Sequence, residues 1–174
     1  MRWLPQGSGR WPARLDRRTL QELGVDSRER VLGWGMALSA DDDRHPVVAT
    51  DGALYGSGLA PRVEWDAFSR ATWDDPTLVL TAIVAGQVRT ESLELIESGL
   101  LPAAVRTQVT DSVVIVERLD LGSGRGAQAI ARRNGPRAEV RWTISFDPGT
   151  DPADPQVRAR ADLALAELRS TLGI

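Results

Sequence analysis

The segment whose spacing comes nearest to a chemical site is Gly122-Ser123-Gly124-Arg125-Gly126-Ala127, which has the G-x-G-x-x-A form of a dinucleotide fingerprint and follows an apolar strand. Such a fingerprint needs a crossover helix behind it, because the helix amino terminus holds the pyrophosphate. Only about seven residues separate Ala127 from the Asn134-Gly135-Pro136 turn, fewer than the dozen or so a crossover requires. The segment therefore reads as a glycine-rich hairpin turn, and no cofactor is expected.

Five arginines, Arg125, Arg132, Arg133, Arg137 and Arg141, crowd around that hairpin. A guanidinium fork binds phosphate or carboxylate bidentately. If Arg133 and Arg141 share the exposed face of paired strands, Arg125, Arg132, Arg133 and Arg141 form an anion-binding patch suited to RNA or another phosphate-rich ligand. The alternative is a solvated strand face balanced by Glu117, Asp120 and Glu139. A second constellation lies in residues 1–14, where Trp3, Arg10 and Trp11 accompany Arg2 and Arg14. Tryptophan and arginine dominate binding hot spots, so this arm is either a partner contact or an intramolecular clamp.

Catalytic sets are harder to find. His45 is the one histidine and stands among Asp41, Asp42, Asp43 and Arg44, a run without the alternate spacing and glycine of a calcium loop, so it reads as a polar hairpin tip. No serine occupies a Gly-x-Ser-x-Gly elbow that could recruit it. The absence of cysteine removes disulfides, thiolate zinc sites, iron–sulfur clusters and thiol nucleophiles. All 21 basic residues are arginine, which excludes a Schiff-base lysine and points first to a GC-rich genome. The 24 acids contain no spacing that selects a catalytic pair. A non-enzymatic binding module is the expected function, with an unidentified protein or a second copy as partner and nucleic acid as the alternative.

The elements that must carry these residues are well marked. Asp16 can cap a short helix that Gly24 stops. Strands are predicted from Glu29 to Leu38, at 47–50, 53–55, 63–65, 69–73, 78–84 and 88–96, with Asp51-Gly52 and Asp74-Asp75-Pro76 as turns. Pro102 suits a first helical turn, with Leu101, Val105 and Val109 on one face. A second block follows, with strands at 113–121, 127–133 and 139–146. In its last strand Val140, Trp142, Ile144 and Phe146 alternate with Arg141, Thr143 and Ser145. Asp154-Pro155 caps a closing helix, striped by Val157, Ala161, Leu165, Leu168 and Leu172, that ends at Gly173. Trp34, Trp65, Trp73 and Trp142 fall on predicted strands and are expected mostly in the core.

An acidic residue before an opening strand (Glu29-Arg30-Val31-Leu32), a strand ending in Thr50-Asp51, a tight turn with Leu54-Tyr55, and Arg62-Val63-Glu64-Trp65 leading through Trp73 to Val84 resemble the bacterial pleckstrin-homology-like families, including GRAM-type relatives. The resemblance covers residues 28–111 and implies a seven-stranded antiparallel barrel or sandwich closed by a helix. Gly52 and Ala53 stand where those relatives often carry basic residues, which weakens any carry-over of anionic-lipid binding. The whole chain also resembles an uncharacterised family of short actinobacterial proteins.

The expected fold class is thus α+β, organised as an arm and short helix (1–27), a pleckstrin-like β domain with its closing helix (28–111), and a three-stranded antiparallel extension with a carboxy-terminal helix (112–174). At 174 residues and 42% hydrophobic, the chain can bury a core without staples. A net charge of −3 argues against a dedicated duplex-DNA binder. No apolar run approaches the roughly 18 residues of a membrane span, and the amino terminus lacks a signal-peptide core, so the cytoplasm is the expected location.

Overall fold

The computed structural model describes residues 15–39, 41–122 and 124–173. Helix α1 (Arg17–Glu22) leads into seven strands: β1 (Val31–Leu38), β2 (Arg44–Thr50), β3 (Ala53–Tyr55), β4 (Arg62–Glu64), β5 (Phe68–Asp74), β6 (Thr77–Val84) and β7 (Gln87–Glu97). Helix α2 (Leu101–Asp111) follows, then β8 (Val113–Asp120), β9 (Gly126–Arg133), β10 (Val140–Phe146) and α3 (Pro155–Leu172). The α+β class and the order of elements agree with the sequence-based expectation.

The first seven strands form one antiparallel sheet in the order β4-β3-β2-β1-β7-β6-β5. Its inner face is curled around a single core, since Val63 of β4 and Phe68 of β5, at opposite ends of the order, belong to the same cluster as Val47, Leu54, Leu80 and Leu95. The expected ring closure is not formed, because β4 and β5 make no ladder with each other. A 3-10 turn, Trp65–Ala67, joins them instead. Trp65, expected on a strand, lies in that turn, with its ring 5.6 Å from that of Phe68 and its indole Nε1 donating to the carbonyl of Thr50 at 3.0 Å. Side-chain packing fills the gap that a backbone ladder would otherwise bridge.

Helix α2 plugs the curled sheet with the stripe Leu101, Val105 and Val109. It can approach because β1 carries glycine where it faces the helix: a Cβ on Gly33 would lie 2.7 Å from the carbonyl oxygen of Leu100, and one on Gly35 would lie 2.7 Å from that of Glu97. The outer face of β2 and β3 is covered too, since Val48, Ala53 and Tyr55 pack against Leu15, Leu20 and Leu23 of the α1 region. Burial on both faces explains why these strands read as continuous apolar runs rather than alternating ones. The carboxylate of Asp16 accepts from the Thr19 N–H at 2.7 Å and caps α1 as expected.

The connection from α1 to β1 supplies a local electrostatic feature. Asp26 accepts from the backbone N–H of Arg28 at 2.9 Å and from its guanidinium at 2.7 and 3.1 Å. The guanidinium bonds first, and then the backbone N–H, hold its carboxyl at about 2 against an ordinary 3.8. A depressed carboxylate favours the fold above its unfolded value, and that contribution is lost as pH falls from about 4 toward 2. Carboxyl-carbon NMR titration should place the Asp26 midpoint near 2 and return it toward 3.8 in Arg28→Ala. An unshifted wild-type midpoint would refute the arrangement.

The second unit is a three-stranded antiparallel sheet, ordered β10-β9-β8 and covered on one face by α3. Ala127 and Ala129 of β9 are fully buried beneath Val157 and Ala161, with Trp142, Ile144 and Phe146 packed alongside. The alternation read in β10 is thus its packing pattern. Asp154 caps α3 by accepting from the N–H groups of Gln156 (2.8 Å) and Val157 (3.4 Å), and Gly173 ends the helix at φ +68°.

Candidate functional site

The arginines singled out in the sequence are dispersed by the fold. Arg125 lies in the β8–β9 hairpin and pairs with the capping carboxylate of Asp154 at 3.3 Å. Arg132 and Arg141 stand at the far end of the sheet, opposite one another on β9 and β10. Arg132 is only 7% exposed. It donates to the carbonyl of Val109 and the hydroxyl of Ser112, both at 2.9 Å, and to the carbonyl of Ser69 at 3.4 Å. Burial lowers its pKa, and the nearby charge of Asp66 opposes that shift. Arg141 donates to Asp66, a buried carboxylate in the 3-10 turn, at 3.0 Å.

Arg133 is opposite Val140, one position along the strand from the Arg132–Arg141 pair. A one-residue step on a strand changes the face. Arg133 and Arg141 therefore do not share a face, and the premise of the four-arginine patch is corrected. Arg132 and Arg141 bolt the second unit to the first, helped by the Asn134 side-chain amide, which donates to the carbonyl of Gly52 at 2.9 Å. Arg137 lies in the exposed β9–β10 connection. Trp3, Arg10 and Trp11 lie outside the described residues.

The other sequence features resolve into structure. The glycine-rich segment joins β8 to β9 as a hairpin, with the Leu121 N–H donating to the Arg125 carbonyl and the Arg125 N–H to the Gly122 carbonyl, both at 3.1 Å. His45 lies opposite Ala37 next to the β1–β2 turn. Among the described residues no group of three or more histidine or acidic side chains is placed to hold a metal ion.

The residues that carried the pleckstrin-like resemblance converge in space. The Glu29 carboxylate accepts from the hydroxyls of Thr50 (2.5 Å) and Tyr55 (3.0 Å) and from the guanidinium of Arg62 (2.9 Å). Arg62 also donates to Glu64 at 2.7 Å and to the Tyr55 oxygen at 3.0 Å. Burial raises the pKa of Tyr55, and the Arg62 donor opposes it. Burial by itself would lower the pKa of Arg62, but the bonds it donates to Glu64 and Glu29 outweigh it and raise the value. Thr50 is fully buried, and its oxygen also accepts from the Gly52 and Ala53 N–H groups at 3.2 and 2.9 Å. These side chains pin the Asp51-Gly52 turn to the strand that follows it. With donors and acceptors matched inside the network, its chemistry is cohesive.

The feature that the sequence did not reveal is a groove of about 780 Å³ between α2 and β5, lined by Ala71, Trp73 and Leu78 on one side and by Pro102, Ala103 and Arg106 on the other. It exists because α2 turns Leu101, Val105 and Val109 into the core, while the small side chains of Ala71 and Ala103 do not fill the space between helix and strand. Trp73, expected in the core, is 37% exposed in the groove wall. β5 is the last strand of the sheet, so its outer edge has no ladder partner among the described residues. Arg106 is the one charged residue in the lining. A tryptophan one position before the Asp74-Asp75-Pro76 turn was the only sequence signal available, and strand order rather than strand pattern decides that β5 is an edge.

No family model, curated protein or solved structure matches this chain. Among the described residues, no helix is long and apolar enough to cross a membrane.

Proposed function

We propose that the chain is a non-enzymatic interaction module on a pleckstrin-homology-like scaffold, and that it engages a protein partner through the groove between α2 and β5. The antiparallel order β4-β3-β2-β1-β7-β6-β5, with a helix packed on the core after the seventh strand, supports the scaffold. The groove is the observation that carries the function. An unpaired edge strand offers main-chain donors and acceptors to an added extended segment, and a neighbouring pocket selects its side chains. Here the pocket has an aromatic wall at Trp73, an apolar floor at Leu78 and a cation at Arg106. Its volume lies in the range of formed ligand sites. The ligand class is an extended segment with an apolar side chain for the tryptophan wall and a carboxylate for Arg106.

Panning random extended peptides against the chain should enrich apolar–acidic sequences. Trp73→Ala should weaken the selected peptides roughly tenfold or more, the loss usual for a hot-spot aromatic. Arg106→Ala should weaken the acidic ones selectively. Peptides that bind Trp73→Ala as tightly as the parent chain would refute the groove as the site.

A further inference from the structure

The groove between α2 and β5 has one closed end. There the guanidinium of Arg132 spans both walls, donating to the Val109 carbonyl and the Ser112 hydroxyl at the end of α2 and to the Ser69 carbonyl near the start of β5. Ser69 sits at a bulge, where the ladder to β6 skips from Phe68 to Arg70. From Arg70 to Asp74 that ladder is regular. The edge open to an added segment is therefore this short stretch, with the Arg132 bridge behind it.

Position along the groove restricts the ligand. Arg106 precedes Val109 by three residues, about 4.5 Å of helix axis, so it stands close to the bridge. Trp73 follows Ser69 by four residues, about 13 Å of strand. The cation is near the closed end and the aromatic wall near the open one. Arg106 is exposed and has no hydrogen bond or ion pair among the described residues. Arg132 adds a positive charge behind it, because all three of its bonded partners are uncharged and Asp66 acts on it only through space. An extended chain advances about 3.3 Å per residue. A ligand whose carboxylate meets Arg106 thus has room for about one more residue before the bridge.

Granted the groove as the binding site, we infer that its ligand is the carboxy terminus of a partner chain, lying antiparallel to β5 with its terminal carboxylate on Arg106. An apolar side chain about two or three residues upstream lies against Trp73. A guanidinium fork takes a carboxylate bidentately, and a terminal carboxylate needs no space beyond itself. An internal aspartate or glutamate would carry its own chain onward into the bridge. The direction follows from the same geometry, since the ligand's end faces the start of β5.

Random peptides displayed with a free carboxy terminus and panned against the full chain should enrich apolar residues shortly before the end. Selected sequences are then synthesised as the free acid, as the carboxamide, and as the free acid lengthened by two glycines, and titrated calorimetrically. The free acid should bind roughly tenfold or more tighter than either other form, the usual worth of a hydrogen bond to a charged group. Arg106→Gln should abolish that preference without moving the urea midpoint, since the side chain is exposed. Equal affinity for all three forms, each still weakened by Trp73→Ala, would overturn the terminal carboxylate and leave the groove as the site. Peptides indifferent to Trp73→Ala, or no enrichment at all, would remove the groove itself and this ligand with it. A preference for the free acid that survives Arg106→Gln would put the carboxylate elsewhere and equally overturn the assignment.

Discussion

Arg132→Ala is expected to destabilise the chain by about 3–5 kcal/mol, whereas Arg133→Ala should leave it within about 0.5 kcal/mol of the parent. The two arginines are adjacent in sequence and equal in charge, so composition cannot separate them. Arg132 points into the junction, where its guanidinium satisfies the Val109 and Ser69 carbonyls and the Ser112 hydroxyl. Its charge also lies near the buried carboxylate of Asp66. Truncation leaves a cavity and strands buried acceptors, each costing about 1–3 kcal/mol of desolvation. Among the described residues Asp66 would keep only Arg141, and one of its oxygens, Oδ1, has no hydrogen-bond partner there even in the intact protein.

Urea unfolding of the two variants decides the matter. A large midpoint shift in Arg132→Ala alone establishes the bolt. Equal, small shifts in both would mean that the guanidinium is solvated and that the junction is held by other contacts. The effect should also reach beyond stability. Arg132 ties the end of α2 to β5 and β9, so its loss should break the coincidence of unfolding monitored in the two units.

Gly35→Val should be at least as damaging, with a loss above about 3 kcal/mol or failure to fold. The argument here is one of space. A Cβ at Gly35 would meet the carbonyl oxygens of Glu97 and Ser98 at 2.7 and 3.1 Å and a methyl of Leu101 at 3.3 Å. Two of these are backbone atoms at the end of β7 and the approach to α2, so relief requires the helix to move off the sheet. Valine adds two further methyl groups, although its β propensity alone would favour the strand. Gly35→Ala should cost less, about 1–3 kcal/mol.

Circular dichroism and urea midpoints measure this directly. Because α2 is one wall of the groove, a folded Gly35→Val should also lose peptide affinity. A variant with parental stability would show that α2 does not seat on β1 through its glycines. Leu163→Ala, at an exposed position on α3, serves as the comparison and should change stability by less than about 0.5 kcal/mol.

Local signals were legible wherever the relevant energy is local. The Asp16 and Asp154 caps, the Asp51-Gly52 turn, Pro102 and Pro155 at helix starts and the alternation of β10 all involve neighbours a few residues apart, and each appears in the fold as read. Trp65 departs because its indole reaches the carbonyl of Thr50, 15 residues away. β1 starts at Val31 rather than Glu29, because the Glu29 side chain is drawn into bonds with Thr50, Tyr55 and Arg62.

Element order, the α+β class, the hairpin reading of the glycine-rich segment and the absence of thiol and lysine chemistry follow from residue types and spacing alone. Periodicity states which residues share a side of a strand. What lies against that side is set by contacts across many residues, as between Arg141 and Asp66, 75 positions apart. Only long-range packing makes Arg132 an internal bolt, leaves β5 without an outer ladder partner among the described residues, and places Trp73 in a groove wall. Each depends on strand order and helix placement, and those are fixed by how separate apolar faces pack together.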